Sequence, residues 1–363
     1  MLSDRPTRRQ VGKFAAAAAV AATFPFGTRR AGAAEQLVIA SFGGQYQDAQ
    51  RKAFFEPFTK ETGIKIVEVS GVSTAKVRSM VMTKNVEWDV FTASSADYPY
   101  LAATGLLEKI DYSKFPQSFK DDIMPDAQRD YGVGTVYSSQ VLAYSTKAFG
   151  SNPPKSWADF WDVAKFPGPR LLPAATFVIQ PVEPALLAAG VAPDKVYPLN
   201  LPLAYEMFTK IRPNVIRWVK SSSAGPQALV DGEVVMTLAN SARVSELKAQ
   251  GAAIDFTWNQ GVTSLGLWSV PKGAKNYANA LKFLEFASRS DQQAALARLM
   301  PYGPVTKGAF AKLKPEVVAT LPTAPQNLAQ AFMQKTEAWL DKNPEGVSYY
   351  DANTKMWDSW ITK

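Results

Sequence analysis

The alternation of short apolar runs with amphipathic ones is what most limits the folds open to this chain. In "LVIASFGGQYQDAQRKAFFEPFTKETGIKIVEV" (Leu37 to Val69), an apolar strand breaks at Gly43-Gly44, a helical stretch runs from Gln47 to Thr62, and a second strand follows. "STAKVRSMVMTK" reads as a helix with Val77, Met80 and Val81 on one face, and "WDVFTAS" (Trp88 to Ser94) as a third strand. Repeated strand–helix–strand units specify an α/β fold of mostly parallel strands with helices on both faces.

A second α/β region follows, and a chain of 363 residues that is 47% hydrophobic supports two lobes, each with its own core. Long strands at about 133–145 and 263–271 read as two links between the lobes, which makes a cleft. Ligands of parallel α/β sheets gather at strand C-terminal edges. Gly43-Gly44 and Ser94-Ser95 lie at such edges in the first region, and Asn240 and Arg243 follow a strand end in the second. A Gly-Gly junction adopts backbone geometry barred to other residues, and the helix after it presents free N–H groups to a polar ligand. It serves equally well as a plain tight turn, and Arg243 equally well as a surface cation. Trp157, Phe160 and Trp161, and Phe54, Phe55 and Phe58, have the spacing of core packing.

The N-terminus specifies the compartment. "TRRQVGKF" places Arg8 and Arg9 before the apolar run Ala15 to Phe26, and Ala31-Gly32-Ala33 offers small residues for cleavage. The apolar run is too short to anchor in a membrane, so residues 1–33 read as a signal peptide. The paired arginines resemble a Tat export signal, with an ordinary Sec signal as the alternative. Removing residues 1–33 takes five net positive charges from the chain's +8 and leaves +3. The basic character therefore belongs largely to targeting and gives no case for nucleic acid. Cysteine and histidine are both absent, which excludes thiol nucleophiles, Ser-His-Asp triads, disulfides and the usual zinc ligands. No cofactor or metal is implied. An enzyme would have to work with carboxylates, lysine, serine or tyrosine.

"FTKETGIKI", "WDVFTAS", "GLLEKIDYSKFP", "PKSWADFWDVAKFPGPRLL", "KIRPNV", "DGEVVM" and "SVPKGAKNYANALKFLEFASRSD" follow one another in the order of the spermidine/putrescine-type solute-binding proteins of ABC importers, which this chain resembles over essentially all of its mature length. The resemblance implies a type II periplasmic-binding-protein fold: two α/β lobes joined by a hinge that close on a solute and dock on a membrane permease and its ATPase. It implies a periplasmic, monomeric binding protein and no enzyme. The division expected is a signal peptide at 1–33, a first lobe at 35–135, a second at 136–264, a return to the first at 265–310, and C-terminal helices at 311–363.

For the site, the resemblance aligns Tyr46 with an aromatic ligand-stacking position, Ser94 with a ligand-contacting serine, Tyr302 with an aromatic cleft residue, and Gln326 with a polar contact. Tyr349-Tyr350 is similar to the tyrosine pair of iron-binding relatives but lies elsewhere in the chain and lacks a histidine. Polyamine-binding relatives hold ammonium groups with carboxylates in stretches that correspond here to Leu171–Val182 and Phe256–Val270, and neither contains Asp or Glu. Tryptophan platforms are replaced by Ala239 and Ser264. An ammonium taken from water without a counter-charge costs several kcal/mol. Asp48, Asp97 or Glu183 offsets one such charge, hardly two or three. The expected solute is therefore an amino-acid-like, opine-like or other carboxylate-bearing amine, its anion received by Arg243 or the Gly43-Gly44 helix start, with a true polyamine as the alternative.

Overall fold

The structure, a computed structural model, describes residues 35–363 apart from 177–179; the expected signal peptide lies outside the described residues. Among the described residues, ten strands make up the sheet: β1 Gln36–Ser41, β2 Lys65–Ser70, β3 Val90–Ala93, β4 Gln128–Arg129, β5 Gly132–Ser145, β6 Arg170–Pro173, β7 Val215–Val219, β8 Met236–Asn240, β9 Ile254–Ser269 and β10 Phe332–Met333. Their order is β2-β1-β3-β9-β5-β8-β6-β7, with β10 added beside β9 and β4 beside β5. The outer trios, β2-β1-β3 and β8-β6-β7, are parallel, as the strand–helix–strand alternation requires.

The centre is antiparallel. β5 and β9 pair with each other along most of their length and carry the parallel trios on their outer edges, so the strands expected to link two sheets make one continuous sheet. β9 starts at Ile254, well before the expected 263. Both strands pass from one core to another. Val133, Val136 and Tyr137 of β5 and Leu265, Leu267 and Trp268 of β9 belong to a first core; Leu142 and Tyr144, with Val262, belong to a second. Between them the paired residues are polar: Ser139 and Thr263 are buried and hydrogen-bonded at 3.1 Å. The pairing register also shifts between Gln140 and Leu142, where β9 loops out through Gln260.

Aromatic packing fills both cores. Phe54, Phe55 and Phe283 surround Trp268 in the first, with ring centroids 5.3 Å apart for Trp268–Phe283, and Phe58 packs on Phe283 at 5.4 Å. Trp157 and Phe160, both fully buried, lie in the second with Phe208, Trp357 and Trp360. The helix after β1 begins at Gly44, earlier than periodicity suggests, and runs as Gly44–Gln50, a π-helical turn Arg51–Phe55, and Glu56–Thr62. Pro57 has no N–H to offer Ala53, and the widened turn both accommodates that loss and buries Phe54 and Phe55 together. Among the described residues no helix is long and apolar enough to cross a membrane.

Candidate functional site

The Gly43-Gly44 junction is a sharp turn at the C-terminal edge of β1. Gly43 has φ 82° and ψ −173°, a region open in practice to glycine alone, and a Cβ there would sit 3.4 Å from the Ser70 Cβ. Gly44 is also left-handed, with φ 56°. The turn swings Tyr46 onto Tyr302, ring edge to ring face, with centroids 5.4 Å apart, while Phe42 lies 6.1 Å away, half exposed. Tyr302 is held in place because Gly303 exchanges two backbone hydrogen bonds with Tyr137 of β5, at 2.8 and 2.9 Å. That approach requires glycine: a Cβ on Gly303 would lie 2.4 Å from the Thr323 hydroxyl. Burial pushes the Tyr46 phenol far above its usual value, and burial with the nearby Glu246 pushes that of Tyr302 up to about 12. Both rings are thus neutral hydroxyl donors at physiological pH.

Arg243 comes to this turn from the other side. Asn240 ends β8 and caps the helix Ser241–Ala249, its Oδ1 accepting from the Ala242 N–H at 3.0 Å. That cap sets the first turn of the helix, and Arg243 on it donates to Gln45 at 3.2 Å and to Glu246 at 2.7 Å. A cation from the helix after β8 therefore touches the turn after β1. Ser94 has a more local role: its hydroxyl donates to Asp97 at 2.6 Å and accepts the Asp97 N–H at 3.1 Å, bracing the turn before the helix Tyr98–Ala103. Ser95 lies half-buried in the same turn.

So Gly43, Gly44, Tyr46, Tyr302 and Arg243 come together, with Asn240 positioning Arg243. Ser94 and Ser95 mark the neighbouring strand edge. Gln326 is exposed in the short helix Pro325–Leu328, and its carbonyl accepts from Gln330 at 2.9 Å; none of its described contacts joins it to the other candidates. Sequence reasoning missed Gln45 and Glu246. Glu246 carries a signal, lying three residues after Arg243 on one helix face. Tyr349 is buried in the second core at the head of the helix Tyr349–Ile361, and among the described residues no group of three or more Asp or Glu is placed to hold a metal.

The described site is an aromatic pair with neutral hydroxyls, a turn of free backbone amides and a guanidinium, which suits a small polar solute. Residues 53–326 match the family described as "Bacterial extracellular solute-binding protein". The chain belongs to that family. It is 36% identical over 329 residues to the gamma-aminobutyric acid-binding protein of Pseudomonas aeruginosa, covering 88% of this chain and 90% of that one. To the spermidine/putrescine-binding periplasmic protein of Escherichia coli it is 26% identical, over 72% of this chain and 76% of that one. Among solved structures, the PBP AgtB of A. tumefaciens R10, in complex with agropinic acid, is 32% identical with a TM-score of 0.78 over 91% of this chain and 99% of that one. Members of the extracellular solute-binding family bind solutes for ABC transporters, and this chain is a binding protein rather than an enzyme.

Proposed function

We propose that this chain captures a small solute carrying an ammonium and a carboxylate, γ-aminobutyrate being the simplest type, and delivers it from the periplasm, as a monomer, to the permease and ATPase of an ABC importer. The observation that carries this reading is Arg243, a half-buried cation reaching the Gly43–Gln45 turn beside Tyr46 and Tyr302. A guanidinium and free backbone amides suit a carboxylate; they repel the ammonium groups of a polyamine. The likeness to a gamma-aminobutyric acid-binding protein and to a protein complexed with agropinic acid supports the same class.

Residues 35–135 and 265–310 act as one lobe and 136–264 as the other, and Phe332, Trp339, Trp357 and Trp360 of 311–363 pack into the second core. A solute held by Tyr46 and Tyr302 on one lobe and Arg243 on the other makes all its contacts only when the lobes are together, so binding shifts the population toward the closed form. The polar crossing at Ser139 and Thr263 is where β5 and β9 would flex. Tryptophan fluorescence titrated with amino acids, ω-amino acids, opines and polyamines tests the reading. A saturable change with amino-acid-like solutes, without turnover, is expected; no response to any of them would overturn it.

A further inference from the structure

Arg243 is not alone in joining the elements around the first core to those around the second. Arg129 of β4 pairs with Glu337 at 3.1 Å, and neither residue is a candidate solute contact. Arg129 is fixed on the first side. β4 pairs with the start of β5, and Ala127 and Val133, on either side of it in the chain, are buried in the first core. The Tyr112 hydroxyl accepts the Arg129 N–H at 3.1 Å and donates to the Gly132 carbonyl at 2.8 Å, while its ring packs edge-on against Phe115 at 5.4 Å. Glu337 is fixed on the second side. It lies in the 3₁₀ turn Thr336–Leu340, two residues before Trp339, which is buried in the second core. The Lys335 N–H at the start of that turn donates to the Tyr197 hydroxyl at 3.1 Å.

The seam extends beyond the ion pair. The helix Tyr98–Ala103, of the first core, packs against the same 3₁₀ turn. Tyr350 heads the helix Tyr349–Ile361 of the second, and partial burial, followed by the nearby Asp97 carboxylate, pushes its phenol up. Each partner of the ion pair is held by contacts on its own side, so rotating one side against the other separates the charges. Their side chains are 35% and 53% exposed, which gives the pair the modest strength and the salt sensitivity of a surface contact.

We propose that Arg129 and Glu337 form a closure latch, which exists only with the lobes together and biases the unliganded protein toward the closed form. This rests on the two-lobe reading of the proposed function and adds which contact, outside the solute site, sets the equilibrium on which the solute acts. A contact that touches no solute changes the binding-competent fraction alone, so affinity for every solute follows that fraction by one common factor. Tyr46, Tyr302 and Arg243 set the ratios between solutes, and the latch sets their shared scale.

The chain lacks cysteine, so introduced thiols carry spin labels without background. Met82→Cys and Lys195→Cys, at exposed positions of the first and second lobes, report the distance between lobes by pulsed electron paramagnetic resonance on the mature protein. Glu337→Gln and Arg129→Gln should each lower the closed population of the unliganded protein about 1.5- to 5-fold, the range of a partly exposed ion pair. Salt at about 1 M should do the same, and the exchange of Arg129→Glu with Glu337→Arg should restore it. Calorimetry with γ-aminobutyrate and with agropinic acid should show that same factor for both. Unchanged distances in both single variants, or a loss confined to one solute, overturn the latch and leave the proposed function intact. Failure of the exchange to restore the closed population marks a packing effect and overturns the role of the ion pair. Shifted distances with neither solute bound overturn the reading of the solute and leave the latch standing. One distance in every variant, with or without γ-aminobutyrate, overturns the latch and the two-lobe closure alike.

Discussion

Replacing Arg243 by Ala separates a ligand contact from a structural one. In the unliganded protein the guanidinium makes an i,i+3 pair with Glu246 at 2.7 Å and a bond to Gln45 at 3.2 Å, with about a third of the side chain exposed. A partly exposed pair of this kind is worth about 0.3–0.5 kcal/mol, and the bond to Gln45 about 0.5–1.5 kcal/mol. The fold should therefore lose roughly 1–2 kcal/mol, a fall of a few degrees in Tm. A solute carboxylate on the guanidinium makes a charge-assisted hydrogen bond worth about 1.5–3 kcal/mol, so its loss weakens binding about 10- to 150-fold. Glu246, left without its partner, adds repulsion for an anion and attraction for a plain amine. Calorimetry beside thermal melts should show the loss for γ-aminobutyrate and none for putrescine. Undiminished affinity for γ-aminobutyrate, or an equal loss for both compounds, would refute the role given to Arg243.

Tyr46→Ala should weaken solute binding by about 0.5–1.5 kcal/mol beyond lost area, read by titration, while the Tm of the unliganded protein changes little; a large Tm drop with unchanged affinity would make the ring a packing element. Alkaline pH should act on the same pair. The Tyr302 phenol, raised from 10.0 to about 12 chiefly by burial, stabilises the fold fully below pH 10 and loses that contribution as pH rises through 12. Urea midpoints should fall above pH 10, and less steeply in Tyr302→Phe; parallel curves would contradict the assignment. Replacing Arg8 and Arg9 by Lys should trap precursor in the cytoplasm, and undiminished export would reject the Tat reading.

The outer trios of strands were legible in the sequence because a parallel unit is local: strand, Gly-rich turn, helix and strand follow one another in the residues from Leu37 to Val69. The antiparallel join of β5 to β9 was not, because it pairs residues more than 100 apart, such as Val133 with Trp268, and no periodicity in either strand names its partner. Phe54-Phe55 and Trp157-Phe160 were readable as core from spacing, while the π-helical turn depends on a hydrogen bond that Pro57 cannot make. In the site, Gly43-Gly44 stood out by residue type, and Tyr46 and Tyr302 through the family resemblance. Glu183 stood out only as one acid among three, and its burial was not legible because it depends on Tyr197, Gln334 and Trp339 arriving from distant segments. The region between 311 and 340 is built from turns, the two-residue strand β10 and helices of five residues or fewer, too short for periodicity to fix a register. The structure engages Gln334 with a buried acid there and leaves Gln326 exposed.

If the site takes one ammonium and one carboxylate, calorimetry with γ-aminobutyrate, putrescine and spermidine on one preparation separates the compounds by charge. An uncompensated ammonium costs several kcal/mol, which corresponds to roughly a thousandfold in affinity. Micromolar or tighter binding of γ-aminobutyrate or an opine-type relative is expected, with spermidine about a thousandfold weaker. Micromolar or tighter spermidine binding, with γ-aminobutyrate silent, would contradict this expectation and make this chain a polyamine-binding protein.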